Sequence, residues 1–174
     1  MSTGLPGSRC DLKDIVIREV TGEFGEWASV IRDSFATVAE EFGITRENAP
    51  TNPAFTEADS LEKMKEKGIF MFSAYLGGHR VGFVAAEKAD GGCWYMERLC
   101  VLPQYRHRGI GRKLMDFVFE TVRQRDGKKV SIGIINVNTV LKNWYIGYGF
   151  TETGKRKFSH LPFEVCFLEK EIQF

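Results

Sequence analysis

The stretch RHRGIGRKL, Arg106 to Leu114, sets two glycines among cations at the point where an apolar helical pattern begins. The first N–H groups of a helix lack internal partners, and the aligned peptide dipoles leave partial positive charge there, so an anion is stabilised at such a start. Gly109 and Gly111 let the backbone come close to a ligand and adopt conformations that a side chain would block. Arg106 and Arg108 add donors for charge-assisted hydrogen bonds, worth about 1.5 to 3 kcal/mol each. The chemistry on offer is capture of a phosphate. Taken alone, the same residues fit equally a glycine-containing helix start with a solvated basic face. Two other phosphate motifs are excluded by spacing: a GxGxxG fingerprint from Gly109 needs glycine where Leu114 stands, and GxxxxGK[ST] is absent.

The elements around this loop can be read from periodicity. Ile15, Val16, Ile17 and Val20 predict a strand, and Trp27, Ile31, Phe35 and Val38 recur at helical spacing up to Phe42. Pro50 and Pro53 interrupt the pattern before a second helix over Ser60 to Lys67, stopped by Gly68. IFMFSAYL and RVGFVAAEK form a hairpin, and CWYMERLCVLP a third antiparallel strand ending near Pro103. Ile110, Leu114, Phe117, Val118 and Val122 share one face of the helix that the loop opens. VSIGII is a buried strand, Asn138 to Tyr148 a short helix closed by Gly149, and FTETGKRKF with FEVCFLEKEI a final strand pair. The order is βααβββαβαββ, an α+β (mixed α/β) pattern. Residues 1–12 read as a flexible leader and 13–174 as a single domain.

With this context VLPQYRHRGIGRKLM resembles the signature of the GNAT acetyltransferase superfamily, a strand ending in Val-x-Pro followed by [RQ]xxGx[GA] at a helix start. Arg106, His107, Arg108, Gly109, Ile110 and Gly111 fill it. NTVLKNWYIGYGF resembles the family's second signature through Asn138, Tyr145, Gly149 and Phe150. The resemblance runs from about Ile15 to the C-terminus and implies a three-layer fold, a central, mostly antiparallel mixed sheet flanked by helices. It also implies an acetyl-CoA-dependent N-acetyltransferase (EC 2.3.1 type) that needs no metal. Acetyl would pass directly, in a ternary complex, to a primary amine of a small molecule or peptide. The loop from Arg106 to Arg112 would then bind the pyrophosphate, and Leu99, Cys100 and Val101 the pantetheine arm.

An alkylamine with a pKa near 10.4 is almost wholly protonated at neutral pH, so a base is useful. Glu97 stands where many members of the family carry an acidic residue; it is the candidate general base, and equally a carboxylate salt-bridged to Arg98. Tyr95 shares its face, since strand side chains alternate, but a phenol with pKa near 10 is a poor base. Backbone N–H groups near Leu99 and Cys100 are candidates for stabilising the oxyanion. Tyr145 resembles the family's general acid for the departing sulfur. Asn138 suits a contact to CoA or an ordinary helix N-cap. Cys100 reads as a buried thiol rather than a nucleophile. The acceptor is expected between the Phe35–Phe55 segment and the last strand pair, with Phe35, Phe42, Asn48, Phe55, His160 and Glu164 as candidates. A noncatalytic acyl-CoA-binding or sensor module is the alternative function.

Bulk properties narrow the classes further. Lys and Arg number 24 and Asp and Glu 23, so a net charge of +1 offers no field for nucleic acid. Cys10, Cys93, Cys100 and Cys166 lack CxxC spacing, which argues for free thiols in a reducing, cytoplasmic setting rather than zinc or a disulfide framework. No apolar run is long enough to span a bilayer. Homodimers are common among the relatives implied, and no sequence feature decides for or against one.

Overall fold

Strand and helix boundaries in the computed structural model, which describes residues 12–174, follow the hydrophobic periods closely. The elements are β1 (Ile15–Glu19), α1 (Phe24–Phe42), α2 (Ala58–Glu66), β2 (Phe70–Leu76), β3 (His79–Lys88), β4 (Cys93–Val101), α3 (Ile110–Arg123), β5 (Lys129–Ile135), α4 (Thr139–Tyr148), β6 (Thr151–Lys157) and β7 (Glu164–Glu171). Their order is the expected βααβββαβαββ. Most of the expected leader lies outside the described residues. Leu12 does not: it opens a 3-10 turn, Leu12–Asp14, and its side chain covers Gly109.

The seven strands form one sheet in the order β1-β2-β3-β4-β5-β7-β6. Every pairing is antiparallel except β4 with β5. That parallel pairing is short, running only from Cys93↔Lys129 to Tyr95↔Ser131. Beyond Tyr95 the two strands are unpaired to each other, and a gap opens in the middle of the sheet.

Helices cover both faces, giving three layers. On one face Ile110, Leu114, Met115, Val118 and Val122 of α3 bury against Trp94, Met96, Val130, Ile132 and Leu168. On the other, Trp27, Ala28 and Ile31 of α1 and Leu61 of α2 pack on Phe83, Ala85 and Cys100. Fully burying a large apolar side chain contributes about 1.5 to 3 kcal/mol, so these two clusters fix how the helices sit on the sheet. Phe117 departs from the expected buried face of α3: it is partly exposed, with its ring edge-on to Phe72 at 4.9 Å.

One irregularity shapes the site. On β4 the register steps from Ala85↔Glu97 to Phe83↔Cys100, so Arg98 and Leu99 together oppose Val84. This is a β-bulge, with Arg98 in the left-handed region at φ 54°. It resets the alternation of the strand: Tyr95 and Glu97 face the side of α1, and Cys100, an odd number of residues later, faces that side as well. β4 ends at Val101, and Pro103 begins a 3-10 turn that leads into the glycine loop.

Candidate active site

The glycine loop is built from backbone. His107 and Gly109 take left-handed conformations, φ 62° and 79°, which turn successive amides toward one side before α3 begins. Among the described residues, none of the backbone N–H groups from His107 to Arg112 has a hydrogen-bond acceptor. Gly111 needs no special φ, and a Cβ there would meet only ordinary contacts, Trp144 at 3.6 Å and Val101 at 3.7 Å. The fold therefore leaves a side-chain-free space between the end of β4 and α4, next to a row of unpaired donors. A phosphate or pyrophosphate fits both features.

The cations of RHRGIGRKL do not converge on that row. Arg106 was expected to contact phosphate; instead its Nε donates to the Val101 carbonyl at 3.1 Å, and its other nitrogens donate to the Ser34 carbonyl at 2.7 Å and Thr37 Oγ1 at 3.1 Å. It ties α1 to the end of β4. Lys113 donates to the carbonyls of Leu12 and Ile15. Arg108 lies over the Tyr105 ring and Arg112 over Tyr148, at 5.6 and 5.3 Å. Ile110 is a core residue, 1% exposed, so only its backbone belongs to the loop surface.

Beside the loop is the gap in the sheet. Because β4 and β5 part after Tyr95, the edge of Met96 to Val101 that faces β5 is not paired with it. An extended, amide-bearing arm can pair there. Leu99 and Val101 turn their side chains into the α3 core, as expected. Cys100 is buried against α1, and burial pushes its thiol up to about 12, against the smaller opposing pull of Ser34. It is a neutral packing group.

Tyr145 lies on α4, 5% exposed, with its ring edge-on to Trp144 and Phe150. Burial raises its hydroxyl well above the usual phenol range, and proximity to Cys100 adds to the rise. The phenol is thus close to the strand that borders the gap. Asn138 is an N-cap: its Oδ1 accepts from the Leu141 amide at 3.2 Å. A groove of about 350 Å³ lined by Arg112, Asn143, Trp144, Gly147 and Tyr148 continues outward from the loop. Sequence reasoning missed Trp144, which lines this groove and faces the space left by the absent Cβ of Gly111.

On the opposite side, Glu97 accepts from Arg98 at 2.7 Å, and Tyr95 is half exposed. Several acceptor candidates have structural partners. Asn48 folds the loop after α1, bonding the Thr45 amide and the Gly43 carbonyl at 2.8 and 2.9 Å. Glu164 accepts from Asn136 at 2.9 Å, Phe55 lies under Arg46, and His160 rests on Phe158. Phe35 packs against the α1 core and Phe42 is half-buried at the end of its helix.

The model of the acetyltransferase (GNAT) family matches residues 34–150. The chain belongs to the GNAT family. An N-acetyltransferase encoded in the pepI 3′ region of Lactobacillus delbrueckii subsp. lactis, described as uncharacterized, is 25% identical over 146 residues, 76% of this chain and 82% of that protein. Solved structures share the fold at lower identity. Ard1 of Thermoplasma volcanium matches with a TM-score of 0.73 at 17% identity, over 92% of this chain and 99% of its own. The PaiA N-acetyltransferase of Thermoplasma acidophilum, in complex with coenzyme A, matches with 0.69 at 18% identity, over 90% and 98%. Membership makes this GNAT protein an acyltransferase by class. Among its described residues no helix is long and apolar enough to cross a membrane, and no cluster of His, Cys, Asp and Glu could hold a metal ion.

Proposed function

We propose that the chain transfers the acetyl group of acetyl-CoA to a primary amine by direct attack in a ternary complex. The observation that carries this is the row of acceptor-free amides from His107 to Arg112, opening onto the space that Gly111 leaves. These amides hold the pyrophosphate, and the unpaired edge of β4 from Leu99 to Val101 aligns the pantetheine arm, so the thioester carbonyl lies in the gap between β4 and β5. Backbone N–H groups near Leu99 and Cys100 stabilise the oxygen as charge develops on it.

The amine enters on the side of Glu97, which takes its proton directly or through water. Nitrogen bonds to the carbonyl carbon, the C–S bond breaks, and CoA leaves as a thiolate. Tyr145 donates a hydrogen bond to the departing sulfur. Its pKa lies above the roughly 8.5 of a thiol, so complete proton transfer is uphill and the last proton comes from solvent. Arg106 positions the site through α1 and does not contact phosphate.

The test is acetyl-CoA binding by calorimetry, with free-thiol release over a panel of amines. Wild type binds and turns over. Gly111→Val folds, since a Cβ at this position has room, and loses acetyl-CoA binding by tenfold or more, on the order of one charge-assisted hydrogen bond. Normal affinity in that variant removes the phosphate-loop reading, while binding without turnover on any amine favours a noncatalytic acyl-CoA module.

A further inference from the structure

Arg98 is hard to explain as packing. A residue with a β-carbon disfavours the left-handed region, yet Arg98 holds φ 54° in the bulge of the central strand, just past the last β4–β5 pair. Its side chain is only 18% exposed, and its one acceptor among the described residues is Glu97 Oε2, at 2.7 Å. The Nε is buried and has no partner there. A guanidinium carries five N–H donors in a fixed fork, so most of this one is unspent. Arg80, the other arginine with an unpartnered Nε, is accounted for by the Trp27 ring at 5.5 Å and by Glu23 at 2.8 Å.

The strand thus presents a carboxylate and a guanidinium side by side, just past the last β4–β5 pair. As a pair they are neutral but dipolar. A simple alkylamine or a polyamine complements only the carboxylate, whereas a molecule with an ammonium and a carboxylate on adjacent carbons complements both. We propose that Glu97 and Arg98 form a dipolar acceptor site for a free α-amino acid, its amine at Glu97 and its carboxylate on the terminal nitrogens of Arg98. This rests on the acetyltransferase reading and names the substrate class. The incoming ammonium replaces Arg98 as the partner of Glu97, and the substrate carboxylate satisfies the donors thus freed. The amine is then held beside Leu99 and Cys100, where the thioester carbonyl lies.

The experiment compares free α-amino acids with their amides and their decarboxylated amines as acceptors, reading thiol release, with acetyl-CoA affinity measured separately by calorimetry. Wild type and Arg98→Gly are assayed. Glycine adopts the bulge conformation without strain, so this variant removes the fork while keeping the strand, and Arg98→Lys keeps the charge without the fork. In wild type, kcat/KM for the preferred amino acid exceeds that for its decarboxylated amine by about tenfold or more, the size of one charge-assisted hydrogen bond. In Arg98→Gly the preference falls to within about threefold, through acceptor KM, and Arg98→Lys lies between. Decarboxylated amines that match the amino acids in wild type, or a preference that survives in Arg98→Gly, overturn the proposal and leave acetyl transfer standing. Absence of acetyl-CoA binding, or binding without turnover on any compound, overturns both.

Discussion

Tyr145 stays a phenol across the working pH range because burial, reinforced by nearby Cys100, opposes its charge. A group in that state stabilises a departing thiolate by hydrogen bonding without itself titrating. Tyr145→Phe therefore lowers kcat by about tenfold or more, at the low end of what a positioned proton donor contributes, and leaves acetyl-CoA affinity unchanged. Steady-state kinetics with calorimetry read the two effects separately, and an unchanged kcat at every pH takes Tyr145 out of the mechanism. The ring is also core, packed on Phe150, and phenylalanine keeps that packing, so the variant isolates the hydroxyl.

Between elements, the connection that matters is Arg106. Its three hydrogen bonds tie Ser34 and Thr37 of α1 to the Val101 carbonyl, joining this helix to the strand that leads into the loop. Arg106→Ala leaves two carbonyls without this donor and lowers unfolding free energy by about 2 kcal/mol, measured by urea denaturation; Arg106→Lys recovers only part, lacking the fork. A tenfold loss of acetyl-CoA affinity at unchanged stability gives the opposite result, a phosphate contact. The bulge is the second connection between elements. A strand of uninterrupted alternation places Cys100 on the face of Met96; the extra residue places it under α1 and leaves Leu99 and Val101 toward α3. No residue in MERLCV announces this, since arginine is a poor occupant of the left-handed region and the usual sequence marker, glycine, is absent.

For the whole molecule, buried protonated groups set the alkaline limit. The Cys100 thiol, ordinarily 9.0, is held to about 12 in the folded state, so between these values the unfolded chain has lost a proton that the native protein keeps. Stability from this group is complete below pH 9 and falls as pH rises toward 12, by up to about 1.4 kcal/mol per pH unit. Tyr145 adds to the fall above pH 10, its ordinary value. Urea midpoints at pH 8, 9 and 10 decline in wild type, and Cys100→Ala flattens the decline between 9 and 10. An equal slope in the variant assigns it to other groups.

By itself the sequence determined the element order and the place of the glycine loop, because hydrophobic period, turn residues and glycine spacing are local properties of the chain. It left Asn138 open between a CoA contact and a helix cap, and the structure shows the cap bond. Only the tertiary structure decided where the cations of RHRGIGRKL point, since their partners Ser34, Thr37, Leu12 and Tyr148 come from distant segments. It likewise decided that β7 enters between β5 and β6, that β4 and β5 part after Tyr95, and that Arg98 stands strained beside Glu97. These are results of strand pairing across the chain, and the energies that select them belong to contacts between residues far apart in sequence.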